Sequence, residues 1–353
     1  MIPISVCIIT KNEAEKMDRC LSCIKDLPFE IVVVDTGSTD NTLEIVRKYT
    51  DKIFHFDWCD DFSKARNYSI SKATNDWILV LDTDEYLQKI DLDELYRQME
   101  EHPGGIGRIH RSSEDPGGEI TIDRVERLFD RRLYHYKRPI HEQVLPLHSD
   151  TEYSIYPIPI EVLHDGYIST ETISREKAER NLRILLKSEK DYPDSYTYFQ
   201  IGQSYYPMED FENARKYYEK ALSFDLDPEA ECVQLLVVNY GYVMLRLERV
   251  EEALAFYDKI AQYFNFYADF VFLHGYFYYK TEQYLKAALQ FIQATQLTHY
   301  HVIGSNSYKP FFLLGIIYQM LGDPALARTF YEKCGNYEPA LKSLQEMDAL
   351  NNK

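Results

Sequence analysis

The sequence has no apolar run approaching the roughly 18–20 residues that a membrane-spanning helix needs. It has no excess of positive charge either. Its 39 Lys and Arg face 57 Asp and Glu, a formal charge of −18, whereas a general nucleic-acid binder carries a basic footprint. The fingerprints G-x-G-x-x-G and G-x-x-x-x-G-K-[ST] are both missing, which argues against a nicotinamide-dependent dehydrogenase and a P-loop nucleotidase. The opening Met-Ile-Pro-Ile-Ser-Val-Cys lacks the charged stretch of a signal peptide and enters a strand pattern at once, so a cytoplasmic location is expected. Cysteine is sparse and scattered: six residues, of which Cys20 and Cys23 form a C-x-x-C. No second pair follows at zinc spacing, and the segment reads as a helix with Leu21 and Ile24 on its apolar face. Ordinary thiols are expected there.

What is present divides the 353 residues into two halves of different chemistry, and the length suits two or three domains. Residues 1–170 carry 20 basic and 32 acidic side chains, and 34 of the 48 Tyr and Phe lie after residue 170. The first half alternates strands and helices. Apolar runs at Ile4–Thr10, Ile31–Asp35, Ile53–Phe56 and Trp77–Asp82 are separated by helical patterns near 14–25, 42–49 and 62–73, the order of a doubly wound parallel α/β sheet. Ligands of such sheets bind beyond the carboxyl ends of the strands. The polar clusters Thr10-Lys11-Asn12-Glu13, Asp35-Thr36-Gly37-Ser38 and Asp82-Thr83-Asp84-Glu85 fall there. Residues 86–170 read as a β-rich completion of this domain, with a helix near 91–101 and a loop at Asp115-Pro116-Gly117-Gly118.

The second half, 171–353, is helical and repetitive. Gly202, Gly241, Gly275 and Gly315 are each followed twelve residues later by Ala214, Ala253, Ala287 and Ala327, and four beyond those by Tyr218, Tyr257, Phe291 and Tyr331. This resembles about four tetratricopeptide repeats, in which small residues let paired helices touch and aromatics fill the groove. Met244 and Ile260 depart from the pattern.

Two carboxylates at i and i+2, Asp82 and Asp84, where a strand runs into a loop, suit one hard divalent cation that also takes phosphate oxygens. The order Val-Cys-Ile-Ile-Thr-Lys-Asn-Glu, Val-Val-Asp-Thr-Gly-Ser-Thr-Asp-Asn-Thr, Asp61-Phe62-Ser63-Lys64-Ala65-Arg66-Asn67 and Leu-Asp-Thr-Asp-Glu resembles the family 2 glycosyltransferases. These are inverting, sugar-nucleotide-dependent enzymes of the GT-A fold. The resemblance is close over residues 4–90 and continues through Arg127-Leu128-Phe129 and Ile140-His141-Glu142 to His164. With the repeats behind it, the chain is similar to a subgroup that includes bacterial peptide and glycocin S-glycosyltransferases.

The resemblance implies roles position by position. Thr10, Asn12 and Glu13 lie against the nucleoside, Asp35 contacts the uracil or ribose, and Ser38 and Asp40 form the turn beside it. Asp61, Arg66 and Asn67 close over the base and diphosphate. Asp82 and Asp84 bind Mn2+ or Mg2+, with His164 as a third ligand, and Arg127 meets the diphosphate. For the general base that an inverting transfer needs, Glu142 is the first candidate, with Asp84 and Glu85 behind it. Helix capping is the competing role for Asp35, Ser38 and Asp40.

The expected activity is a non-processive, metal-dependent transfer of one sugar from a UDP-sugar. Processive synthesis is disfavoured because Trp58 and Trp77 both precede the metal motif, leaving no Q-x-x-R-W. Tetratricopeptide grooves often hold extended peptides, which favours a peptide or protein acceptor over a lipid-linked or cell-surface glycan. The repeats alternatively form a homodimer. A repeat scaffold with a degenerate catalytic domain is the non-enzymatic reading, and the intact motif set speaks against it.

Overall fold

The computed structural model describes residues 2–114, 120–148, 152–165 and 171–351. The loop read at Asp115-Pro116-Gly117-Gly118 and the expected domain boundary at residue 170 lie outside these. The chain forms two compact units, Met1–Tyr192 and Pro193–Lys353.

The first unit contains strands β1 (Ile4–Thr10), β2 (Glu30–Asp35), β3 (Ile53–His55), β4 (Trp77–Val80), β5 (Glu85–Ile90), β6 (Ile106–Glu114), β7 (Ile120–Asp130), β8 (Tyr134–Lys137), β9 (Gln143–Pro146) and β10 (Ile155–His164). Its helices are α1 (Ala14–Ile24), α2 (Thr42–Val46), α3 (Phe62–Lys72), α4 (Leu92–Glu101) and α5 (Glu171–Ser188). Eight strands form one sheet in the order β3-β2-β1-β4-β7-β6-β10-β5, and β8 and β9 form a separate hairpin. The first four are parallel, as the β-branched runs require. The remainder is mixed: β7 is antiparallel to β4 and β6, while β10 runs parallel to β6 and antiparallel to β5.

The two-residue period of each strand sorts its side chains to two cores. Ile4, Val6, Ile8, Val33 and Leu79 meet Met17, Cys20, Leu21 and Ile24 of α1 on one face. Cys7, Val32, Ile78 and Val80 meet Ile70 and Ala73 on the other. Cys20 is thus a core residue, and burial raises its thiol well above the ordinary value, as it pushes that of Cys7 up to about 12. Such thiols are poor nucleophiles. Helix α5 belongs to the first unit, where Arg183 pairs with Asp60 at 2.9 Å and the Arg180 guanidinium lies 5.3 Å from the centre of the Phe62 ring.

The second unit consists of α6 (Ser195–Tyr205), α7 (Phe211–Leu222), α8 (Glu231–Arg246), α9 (Val250–Phe264), α10 (Ala268–Lys280), α11 (Tyr284–Ala294), α12 (Tyr308–Met320), α13 (Pro324–Glu332) and α14 (Glu338–Asn351). The repeat signature has a steric cause. A Cβ at Gly275 would stand 2.8 Å from the Phe291 ring, and Gly202, Gly241 and Gly315 are pressed as closely by Tyr218, Tyr257 and Tyr331. Ala214, Ala253, Ala287 and Ala327 are fully buried beneath them. Seven residues after each glycine the chain turns through positive φ, at Glu209 (57°), Glu248 (57°), Glu282 (60°) and Gly322 (79°). Three of these four hairpin turns place a glutamate in the left-handed region that glycine prefers.

Candidate active site

Strand β4 ends at Val80, so Asp82, Thr83 and Asp84 form the tight link into β5 rather than the end of a strand. Asp82 sits between two buried arginines. Arg66 of α3 donates from Nη2 to Asp82 Oδ1 at 2.7 Å, and Arg127 of β7 donates from Nη2 to Asp82 Oδ2 at 2.6 Å. Burial alone would raise the Asp82 carboxyl, but Arg127 and then Arg66 outweigh it and hold it well below the usual carboxylate range. Asp84 has the opposite environment. Burial and the adjacent Asp82 push its carboxyl up, against the pull of His164 and Lys16. His164 Nε2 stands 3.7 Å from Asp84 Oδ2, with the imidazole's Nδ1 3.1 Å from Ser113 Oγ.

Arg66 extends the network by donating from Nε to Glu142 Oε1. The segment carrying Glu142 links β8 to β9 and is tightly constrained. Arg138 (φ 77°) and His141 (φ 49°) take left-handed backbone, and the Phe62 N–H donates to the Pro139 carbonyl at 2.7 Å. Asn67 clips the same hairpin, donating to the Tyr136 carbonyl at 2.8 Å and accepting from the Tyr136 N–H at 2.9 Å. Both the nitrogen and the oxygen of its side-chain amide are therefore committed to structure. Asp61 caps α3, accepting from the Lys64 N–H at 3.0 Å and the Ser63 hydroxyl at 2.7 Å.

The first two strand ends are knitted together. Thr10 and Asp35 are register neighbours, and the Thr10 carbonyl accepts from the Thr36 N–H at 2.9 Å. Asp35 accepts from the N–H groups of Gly37 and Ser38, both at 3.1 Å. Asn12, at φ 54°, donates its N–H to Ser38 Oγ at 2.9 Å and accepts from the Thr39 N–H at 2.7 Å. Asp40 accepts from the N–H groups of Thr42 and Ala14 at 3.0 and 3.3 Å. Glu13 donates its N–H to Thr42 Oγ1 at 2.9 Å, and burial raises its carboxyl. The hydrogen bonds at Asp35, Ser38 and Asp40 thus run within the turn after β2 and across to the loop that leads into α1.

Glu85, a base candidate behind Glu142, has a different place in the structure. It is fully buried, accepts from Arg127 at 2.7 Å and from the Asp82 N–H at 3.0 Å, and lies 3.4 Å from Arg111. Arg111 in turn pairs with Asp123 at 2.6 Å. Neither Arg111 nor Asp123 stands out in the sequence, because each matters only once β5, β6 and β7 share a sheet.

Two buried guanidinium nitrogens of this network have no hydrogen-bond partner: Arg66 Nη1 and Arg127 Nε. Native interiors rarely leave such groups unpaired, and donors with net positive character suit an anionic ligand such as a diphosphate. For a divalent cation, Asp84 and His164 are the fitting pair: their atoms converge, and the Asp84 carboxylate is incompletely neutralised. Asp82 fits less well, since both its oxygens are held by guanidinium groups. Among the described residues no three His, Cys, Asp or Glu side chains are placed to hold a metal ion by themselves.

A parallel-to-mixed sheet with Asp-x-Asp, two buried arginines and a converging histidine beyond β4, followed by helical hairpins, defines a GT-A-like transferase domain joined to tetratricopeptide repeats. Residues 5–149 match the glycosyl transferase family 2 model, and residues 195–228 and 311–340 match tetratricopeptide repeat models. The chain thus carries a family 2 glycosyltransferase domain followed by tetratricopeptide repeats. It is 35% identical over 231 residues to a TPR repeat-containing protein of Synechococcus elongatus, covering 63% of this chain and 57% of that one. It is 28% identical over 236 residues to the SPbeta prophage-derived glycosyltransferase SunS of Bacillus subtilis, covering 61% and 52%. An uncharacterized glycosyltransferase of Rickettsia felis matches at 28% over 148 residues, covering 40% and 52%. The chain spans just over half the length of these curated relatives. No helix among the described residues is long and apolar enough to cross a membrane.

Proposed function

We propose that the protein transfers one sugar at a time from a UDP-sugar to a peptide or protein acceptor, with inversion and with Mn2+ or Mg2+. The observation that carries this reading is the pairing of opposite environments two residues apart. Asp82 is locked as an anion by Arg66 and Arg127, while Asp84 faces His164 with its charge incompletely offset. Asp84 and His164 would hold the cation, which when bound neutralises the departing diphosphate. Thr10, Asn12, Glu13, Asp35, Ser38 and Asp61 line the nucleoside side of the same strand ends. Arg66 and Arg127 present buried N–H groups toward the diphosphate, and Asn67 holds the hairpin that carries Glu142.

Glu142 is our choice of general base. Arg66 orients it through Oε1, and its other oxygen takes the proton of the acceptor nucleophile as that atom attacks the anomeric carbon. The repeats present the acceptor, or pair two copies of the chain in a homodimer, and the site works in the cytoplasm.

The test is intact-mass detection of a single added hexose or N-acetylhexosamine on candidate acceptor peptides, across a UDP-sugar panel with MnCl2. Transfer that is lost in Asp84→Ala and in Asp82→Ala is expected. Full activity in either variant would overturn the reading.

A further inference from the structure

Lys16 of α1 lies near three carboxylates. Its Nζ lies 3.9 Å from Glu13 Oε2, 3.9 Å from Asp84 Oδ2 and 3.9 Å from Asp165 Oδ1. The three carboxylates come from different parts of the fold: the β1–α1 loop, the β4–β5 link and the end of β10. Asp165 is fixed there by its own N–H, which donates to the Asp84 carbonyl at 3.2 Å. The ammonium is too far from each oxygen for a hydrogen bond, so it balances all three without being held by any. Asp165 Oδ1 accordingly remains buried without a hydrogen-bond partner.

The other cations near these carboxylates are peripheral or already engaged. Arg19, one turn along α1, reaches Asp165 Oδ2 at 3.5 Å while its guanidinium lies 3.8 Å from the centre of the Tyr86 ring. His164 faces Asp84 at 3.7 Å, and Lys177 of α5 acts on Glu13.

We propose that Lys16 is a tethered counter-cation standing beside Asp84, where a divalent ion would draw on the same carboxylate, so that metal must displace it to bind. The proposal rests on the reading of Asp84 as the metal-binding residue. A lysine suits the task because its charge is compact and its four-carbon stem is flexible. Displaced, it stays within the site as a cation for the diphosphate. Metal and nucleotide are then coupled: each makes the other's binding easier, because the nucleotide supplies the anion that the displaced ammonium requires.

The experiment measures Mn2+ binding by the loss of the free-ion electron paramagnetic resonance signal, with and without UDP. Three variants of the full chain are compared with the unmodified protein: Lys16→Met, Lys16→Arg and Asp84→Asn. Lys16 keeps 31% of its side chain exposed, so Lys16→Met is tolerated by the fold, and tryptophan fluorescence checks this. Lys16→Met is expected to bind Mn2+ about tenfold more tightly without UDP, about 1.4 kcal/mol, and to lose part of the strengthening that UDP produces, the remainder coming from the diphosphate's own attraction to the ion. Lys16→Arg is expected to restore the weaker, UDP-strengthened binding. If Asp84→Asn loses binding while Lys16→Met binds Mn2+ no more tightly than the unmodified protein, the Lys16 proposal alone fails. If Asp84→Asn binds Mn2+ as well as the unmodified protein, the assignment of the metal to Asp84 fails and Lys16 falls with it.

Discussion

Asp82 and Asp84 are chemically identical and two residues apart, yet removing their charges has opposite consequences for stability. Asp82→Asn leaves Arg66 and Arg127, 7% and 6% exposed at their side chains, without their shared anion. An asparagine oxygen satisfies one guanidinium, and its amide group then confronts the other. Breaking a fully buried pair costs about 3–5 kcal/mol, and the 28% exposure of Asp82 lowers the expected loss to about 2–3 kcal/mol. Asp84→Asn instead removes a charge that burial and Asp82 disfavour, a gain on the order of 1 kcal/mol.

The pH dependence follows the same signs. The native Asp82 carboxyl lies below its unfolded value of about 3.9, so its contribution is present above that pH and is lost as pH falls through the native value. The native Asp84 carboxyl lies above the unfolded value. Its contribution is therefore full below about pH 3.9 and is lost as pH rises through the native value, leaving a net cost at neutrality. Trp58 and Trp77 are the sole tryptophans and both belong to the first unit, so their fluorescence in a urea titration reports that unit alone. At pH 7 the midpoint should fall by about 1 M in Asp82→Asn, for an m-value of about 2–3 kcal/mol/M, and should rise slightly in Asp84→Asn. A midpoint unchanged in Asp82→Asn, or lowered equally in both, would refute the division of roles between the two carboxylates.

Other outcomes test separate parts of the molecule. Glu142→Gln should reduce transfer by at least about a hundredfold, as expected of a lost general base. Asn67→Ala, which frees the Tyr136 backbone at both ends of the clip, should lower the tryptophan-monitored midpoint by an amount equivalent to about 1–3 kcal/mol. Gly275→Ala forces a methyl group against Phe291 and should destabilise the second unit by about 1–3 kcal/mol, read by far-ultraviolet circular dichroism while the tryptophan transition stays in place. Glu282→Gly relieves a left-handed backbone and should stabilise the same unit by up to about 1 kcal/mol.

The sequence by itself determined the parallel half of the sheet, because β1, β2 and β4 are apolar on both faces and only a doubly covered sheet uses such runs. It determined the helical hairpins as well. Glycine, alanine and aromatic residues at fixed offsets are demanded by rings pressed onto a neighbouring backbone, and that constraint acts between segments close in the chain. It also singled out Asp82, Asp84, Arg66, Arg127 and Glu142, whose residue types suit the proposed chemistry.

What only the tertiary structure decided is how those charges are shared. Arg127 and Glu85 meet through an antiparallel strand order that no local periodicity encodes, and Arg111 and Asp123 join them for the same reason. Asp82 becomes a fixed anion because helix α3 and strand β7 each bring a guanidinium to it. Asp84 is left facing His164 and Lys16 because β10 and α1 end there. A buried charge is set by the sum of its neighbours, and the cations facing Asp82 and Asp84 are 16 to 80 residues away along the chain.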